Sequence, residues 1–256
     1  MKRGIAMSQT VFNRYEKKYL MPEAVYLELR ERLQGEMQVD SYGLHTICNI
    51  YYDTPGQDLI RRSIEKPVYK EKLRLRSYGI PTMDSTVFLE IKKKYNEIVN
   101  KRRIPLTLAQ AYAYVEQGIR PEQDSQILRE IDFFLQRYPL RRSLYLAYDR
   151  VALFQRTQPQ FRVTFDCGIR SRRMDMGLEN GDRGAPLLPE GWYLMESKIL
   201  GATPLWFSRL LSELEIYPVS FSKYGNCYRE GCGAFHPQEM MAHRMENWEF
   251  RRKEVC

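Results

Sequence analysis

The 256-residue chain has few histidines, no patterned cysteines and no long apolar run. Only His45, His236 and His243 occur, and no G-x-S-x-G elbow accompanies them, which argues against a Ser-His hydrolase and leaves each histidine as a structural or surface residue. The five cysteines, Cys48, Cys167, Cys227, Cys232 and Cys256, are scattered and odd in number, the pattern of reduced intracellular thiols and not of a disulfide framework. Cys227, Cys232, His236 and His243 offer four potential ligands. Four residues separate the two cysteines and the flanks lack the knuckles of a zinc finger, so no zinc site is expected there. The longest charge-free stretches, Ser41 to Tyr52 and Ile104 to Val115, are twelve residues each, whereas a bilayer-spanning helix needs roughly 20 predominantly apolar ones. The N-terminus is basic but lacks the apolar core of a secretory signal. A cytoplasmic protein without membrane insertion is expected. Walker-type and dinucleotide-binding glycine loops and an H-E-x-x-H helix are also missing.

What is present is charge, with a sign. Forty Lys and Arg against 32 Asp and Glu give a net charge of +8, and the composition is otherwise that of a folded soluble domain, 43% hydrophobic and 28% charged. A basic excess suits an anionic partner, but composition alone does not distinguish nucleic acid, a lipid surface or a small polyanion. The placement of the charges decides.

Helical spacing and punctuation predict helices over Pro22 to Gly35, Leu106 to Gly118, Pro121 to Tyr138 and Pro204 to Ile216. Alternation predicts strands over Val11 to Leu20, Ile47 to Asp53, Val68 to Tyr78, Thr86 to Tyr95, Leu144 to Phe154, Phe161 to Asp166 and Trp192 to Leu200, with a Gly- and Pro-rich loop from Gly177 to Gly191. No repeat or linker divides the chain. One α+β domain over 9–230 is expected, followed by a charged tail, 231–256, with a helix around Pro237 to Arg252.

Residues at i, i+2 and i+4 of a strand share a face. Arg14, Glu16 and Lys18 therefore point one way, as do Lys72, Arg74 and Arg76, then Glu90, Lys92 and Lys94, then Glu196 and Lys198. Leu73, Leu75, Met195 and Ile199 occupy the opposite faces and suit a core. Two architectures fit: an ordinary sheet with a wet face, or a closed antiparallel barrel with an ionic interior and helices packed outside. In the second, converging Lys and Arg would bind phosphate oxygens, balanced by Glu16, Glu90 and Glu196, of which one or two could instead hold a divalent cation. Eighteen tyrosines among basic residues could stack on bases, but strand and barrel-wall packing accounts for them better, so no nucleic-acid partner is expected.

The strings RYEKKYL (Arg14 to Leu20), YYDT (Tyr51 to Thr54), KLRLRSYG (Lys72 to Gly79), FLEIKKK (Phe88 to Lys94), VNKRR (Val99 to Arg103), YDR (Tyr148 to Arg150), FRVTFD (Phe161 to Asp166), MESK (Met195 to Lys198) and FSKYG (Phe221 to Gly225) occur in this order. In that order they resemble the VTC domain, the polyphosphate polymerase domain of the vacuolar transporter chaperone complex and its bacterial relatives, within the CYTH-like triphosphate tunnel superfamily. The resemblance implies a closed antiparallel β tunnel lined with basic residues and surrounded by helices. It implies transfer of the γ-phosphoryl group of ATP to polyphosphate with release of ADP, assisted by Mn²⁺ or Mg²⁺, in a passage open at both ends.

Carried over by position, Arg74, Arg76, Arg150 and Lys223 resemble the residues that hold the reacting triphosphate. Lys18, Lys92, Lys101, Tyr148, Arg162, Lys198 and Ser222 resemble phosphate-binding positions of the wall, with Glu90 beside them, and Glu196 resembles the metal-binding glutamate. The superfamily's E-x-E-x-K signature stands here as Arg14, Glu16 and Lys18, one carboxylate short, which favours long-chain phosphate binding over two-metal triphosphatase or cyclase chemistry. A tunnel triphosphatase and a non-catalytic polyphosphate-binding module are the alternative readings. The N-terminal sensor domain and membrane segments of the eukaryotic proteins are not expected, so any membrane partner would be a separate protein.

Overall fold

The computed structural model describes residues 14–96, 98–229 and 231. The expected tail helix lies outside the described residues, as do Cys232, His236 and His243. In chain order the elements are β1 (Arg14–Pro22), α1 (Glu23–Leu33), β2 (Met37–Val39), β3 (His45–Asp53), α2 (Asp58–Ile64), β4 (Tyr69–Tyr78), β5 (Thr86–Tyr95), β6 (Ile98–Thr107), α3 (Leu108–Gln117), α4 (Gln126–Arg137), β7 (Arg141–Gln155), β8 (Arg162–Arg172), β9 (Ala185–Pro186), β10 (Trp192–Leu200), α5 (Leu205–Glu213) and α6 (Lys223–Arg229). The α+β class is as expected.

The strands form one antiparallel sheet in the order β1-β10-β8-β7-β3-β4-β5-β6, with β2 added beside β7 and β9 beside β8. The sheet curls strongly. Lys92 of β5 feels the charges of Glu16 and Lys18 on β1 and of Glu196 on β10, so strands from opposite ends of the path look at each other across an interior. The path does not close: β1 and β6 end it, and no pairing joins them among the described residues, where the sequence reading expects a closed barrel. The β6 edge carries Lys101, Arg102, Arg103 and Pro105, residues that discourage further strand pairing.

Two apolar clusters lie on the outer face. Leu73 and Leu75 of β4 and Val87, Leu89 and Ile91 of β5 pack under α3 and α4 through Leu108, Leu128, Ile131 and Phe134. Tyr19, Met21, Val163, Phe165, Met195 and Ile199 pack under α1 and α5 through Leu29, Leu33, Phe207 and Leu210. Each fully buried aliphatic side chain contributes about 1.5–3 kcal/mol, which fixes the outward direction of the apolar alternates and hence the inward direction of the charged ones. The expected helix from Leu106 begins two residues later, because Leu106 and Thr107 finish β6; Thr107 then caps α3 in a capping box with Gln110. Likewise α4 starts at Gln126, where the Ser125 hydroxyl accepts the Leu128 N–H at 3.2 Å.

A third cluster is interior. Leu20, Tyr51, Leu144, Leu146 and Leu194 are inward alternates of their strands, and Phe221, just before α6, and Tyr224 and Cys227, within it, are buried against them. The interior is thus charged in one part and plugged by α6 in another. Asp53 anchors the plug: its carboxylate accepts the backbone N–H groups of Thr54, Leu59 and Ile60 around α2 and the Tyr224 hydroxyl at 2.8 Å.

Candidate active site

Strand pairing assembles the charged interior in two patches. In the first, β1, β10 and β8 lie side by side, with Lys18 opposite Glu196 and Leu194 opposite Asp166. Arg150 of β7 grips Asp166 with two hydrogen bonds, at 2.5 and 2.7 Å, and stands 3.5 Å from Glu196. A register shift between β7 and β8 at Ala147/Asp149 sets this pairing; Gly168, across the shift, has φ +54 and would bring a Cβ within 3.0 Å of Asp149. Lys223, at the first turn of α6, donates to Asp166 at 2.5 Å and to Glu196 at 3.1 Å. Lys18 donates to the Phe221 carbonyl at 2.9 Å and lies 3.6 Å from Glu16 and 3.7 Å from Glu196, while Lys198 lies 3.9 Å from Glu196.

The second patch is built on β4, β5 and β6. Arg74 donates to Glu90 and, through Nη1, to the Tyr51 hydroxyl at 3.2 Å. Arg76 is held by Asn49, whose Oδ1 accepts its Nε–H at 3.0 Å, and donates through Nη2 to the Tyr148 hydroxyl at 3.0 Å. Lys101 approaches Glu90 to 2.9 Å. Tyr148 joins the patches, since Lys223 Nζ and the Arg150 guanidinium lie 4.6 and 5.1 Å from its ring centre. Lys72 and Lys92 face each other in the ladder, and no carboxylate among the described residues pairs with either.

In the two patches nine cations (Lys18, Lys72, Arg74, Arg76, Lys92, Lys101, Arg150, Lys198, Lys223) therefore meet four carboxylates (Glu16, Glu90, Asp166, Glu196), an excess of five. The ionisation behaviour follows. Burial disfavours the Glu196 charge, but Lys223, Lys18, Arg150 and Lys198 overcome it and hold the carboxyl well below the usual range. Against the same penalty, Arg74, Arg76 and Lys101 bring Glu90 down to about 2. The lysines without a full counter-charge move the other way: enclosure, reinforced by Lys70, Lys92, Lys18 and Arg74, lowers Lys72 to about 7. Enclosure also lowers Lys101, to about 8, with Glu90 only partly opposing it. Burial resists ionisation of the Tyr148 hydroxyl, yet Arg76, Arg150 and Lys223 bring it below an ordinary tyrosine. Such a concentration of perturbed groups in one enclosure is characteristic of functional sites.

The sequence matches the family model of the VTC domain over residues 13–230. The chain belongs to the VTC domain family. No functionally curated protein matches it. Among solved structures, this VTC domain is similar to the "putative adenylate cyclase" of Bacillus halodurans, at 16% identity and a TM-score of 0.50, covering 81% of this chain and 92% of that one. It is also similar to the Hippeastrum "putative adenylyl cyclase" described as having a dominant triphosphatase activity, at 15% identity and a TM-score of 0.51, covering 87% of this chain and 97% of that one. These likenesses establish a shared fold.

Ten of the twelve expected site residues of the VTC domain converge on the interior: Lys18, Arg74, Arg76, Lys92, Lys101, Tyr148, Arg150, Glu196, Lys198 and Lys223. Two stand apart. Arg162 is half exposed at the rim and pairs with Asp40 at 3.6 Å. Ser222 is exposed and caps α6, its hydroxyl accepting the Gly225 N–H at 3.1 Å. Two charged residues of the patches, Lys72 and Asp166, stand outside the expected site. Lys72 shares a face with Arg74 and Arg76, a sufficient signal. Asp166 ends the alternation Arg162, Thr164, Asp166, which places it on the inward face, but nothing in the strand announces that Arg150 and Lys223 converge on it. Among the described residues no set of three or more His, Cys, Asp or Glu side chains converges as a protein metal cage.

Proposed function

We propose that this VTC domain is an ATP-dependent polyphosphate polymerase. The observation that carries the proposal is the excess of five cations in the two patches, with Lys72 and Lys92 in no close ion pair with a carboxylate among the described residues, in a domain of this family. An enclosure of this kind suits a multiply charged phosphate chain and repels its own lysines when empty. In the reaction, a terminal non-bridging oxygen of the acceptor chain forms a bond to the γ-phosphorus of ATP. The bond from that phosphorus to the β,γ-bridging oxygen breaks, and its electron pair leaves with ADP. No protein nucleophile is required. Arg74 and Arg76, preset by Glu90, Asn49 and Tyr148, hold the transferring phosphate, while Arg150 and Lys223, preset by Asp166, hold its neighbour in line; positioning and charge neutralisation supply most of the acceleration in phosphoryl transfer.

Both oxygens of Glu196 already face cations, so the residues present fit Mn²⁺ or Mg²⁺ only as an ion that arrives with phosphate oxygens and water filling most of its shell. Glu196 would hold it, with Asp166, which shares Lys223 and Arg150 with it, and Glu16, across Lys18, as the neighbouring carboxylates. When bound, the ion supplies further neutralisation of phosphate charge.

The triphosphatase activity described for the Hippeastrum protein supports a second reading, in which water replaces the acceptor chain. Pairing of all four carboxylates of the two patches with cations weighs against it, because none of them is left to activate water. Incubation of the purified chain with ATP and Mn²⁺ separates the two. Products that lengthen on a gel stained for polyphosphate support the polymerase; phosphate release without chain growth overturns it.

A further inference from the structure

Behind the plug lies a second basic space. A cavity of about 310 Å³ is lined by Gln57 before α2, by Arg141, Arg142 and Ser143 at the start of β7, and by Arg173 and Met176 after β8. Its three arginines differ in what they meet. Arg142 is neutralised by Glu116, to which it donates at 2.7 and 3.0 Å. Arg141 donates to the Pro55 carbonyl at 3.1 Å and Arg173 to the Ser143 carbonyl at 3.1 Å, and no carboxylate among the described residues pairs with either. Each guanidinium has five N–H donors in a planar fork, so both keep unspent donors and a full charge beside the cavity.

We propose that this cavity is a second anion site, separate from the interior patches, which takes a tetrahedral phosphate group through Arg141 and Arg173. The chemistry favours phosphate over a lone carboxylate, because two forks from different elements flank a space large enough for a tetrahedral anion and its water. The site adjoins the channel through the plug. Arg173 holds the Ser143 carbonyl, the Ser143 hydroxyl meets the Tyr224 hydroxyl at 3.0 Å, and Tyr224 stacks at 4.5 Å on Tyr51, which accepts from Arg74. One aromatic pair thus separates the two basic spaces. The bound group is either free inorganic phosphate or the end of a short phosphate chain, and both present the same oxygens.

The site is tested without turnover, so the outcome is independent of whether the domain polymerises. The full chain is labelled at arginine with phenylglyoxal and resolved by peptide mass spectrometry, alone, with inorganic phosphate, and with tripolyphosphate. Labelling of Arg141 and Arg173 should slow roughly ten-fold when the protecting anion is present at about ten times its dissociation constant. Protection by phosphate identifies the free ion as ligand; protection by tripolyphosphate alone identifies a chain end. The effect should persist in Arg74→Ala, and Arg141→Gln should abolish protection of Arg173. Unchanged labelling with both anions, or protection that disappears in Arg74→Ala, overturns the proposal.

Discussion

Lys223 and Asp166 meet at 2.5 Å although 57 residues separate them in the chain, and the contact ties the first turn of α6 to the centre of the sheet. Asp166 is fully buried and also takes both hydrogen bonds of Arg150, so it is the common counter-charge of two cations. Burial lowers the Lys223 pKa, but Asp166 and Glu196 more than reverse this and raise it above the ordinary lysine value.

The two partners are therefore unequal in stability. Asp166→Ala strands Arg150 and Lys223 with Glu196 alone and should destabilise the fold by about 3–5 kcal/mol, the usual result of breaking a buried ion pair from one side. Lys223→Met leaves Asp166 fully engaged by Arg150 and should cost clearly less. Urea unfolding of both variants checks the order; equal losses, or a larger loss for Lys223→Met, would mean that Asp166 is not the organising partner.

Arg74→Ala should leave the fold standing while lowering ATP-dependent polyphosphate synthesis by at least about 100-fold, as loss of a preorganised charge contact to the transition state does. The fold survives because Glu90 keeps Arg76 at 3.8 Å and Lys101 at 2.9 Å as partners. Glu196→Gln should lose synthesis too, since Lys18, Lys198 and Lys223 would then lack their shared anion. Wild-type turnover in either variant, with an unchanged circular dichroism spectrum, would remove that residue from the site.

How much of this was legible in the sequence depends on where each side chain gets its direction. Lys72, Arg74 and Arg76 alternate with Leu73 and Leu75, so the inward face of β4 is written locally. Strand β6 is not legible locally, because Asn100, Lys101, Arg102 and Arg103 run on without alternation and Pro105 interrupts them; its pairing with β5 supplies the order. Helix α2 carries no local signal for a similar reason. Gln57 before it is left-handed, with φ 58, and the first N–H groups of the helix are accepted outside it, by the Thr54 hydroxyl and the Asp53 carboxylate. The motif at Ser222 and Lys223 was recognised, but that Tyr224 would plug the interior depends on contacts with Tyr51, Asp53 and Ser143 that no local pattern encodes.

Glu90 makes acid stability a test of the second patch. Its pKa of about 2 lies below the ordinary value of 4.5, so the unfolded chain binds the proton more readily. The stabilisation is complete above about pH 4.5 and is lost as pH falls toward 2; a shift of this size corresponds to something on the order of 3 kcal/mol. Glu90→Gln should be less stable than wild type at pH 7, with the gap narrowing as pH falls to 3. Urea midpoints at the two pH values give the comparison, and a gap independent of pH would show that the carboxylate charge is not what matters.

Lys72 and Lys101 predict the proton traffic of ligand binding. Their pKa values of about 7 and about 8 lie below the ordinary 10.5, so near pH 8 the empty channel holds Lys72 largely neutral and Lys101 partly so. The unfolded chain binds more protons in this range, and the empty protein should gain stability as pH rises from about 7 to 10.5. A polyanion reverses the preference by favouring the charged lysines. Binding of long-chain polyphosphate, whose internal phosphates are already ionised, should therefore take up protons at pH 8 and weaken as pH rises toward 10.5. Titration calorimetry in two buffers of different ionisation enthalpy measures the uptake directly. Lys72→Met should remove the larger share, because Lys101 is more exposed and already has Glu90 as a partner. Binding heats that are the same in both buffers would mean that the lysines are fully charged before the ligand arrives, and that the empty interior is less strained by its own charge than its geometry requires.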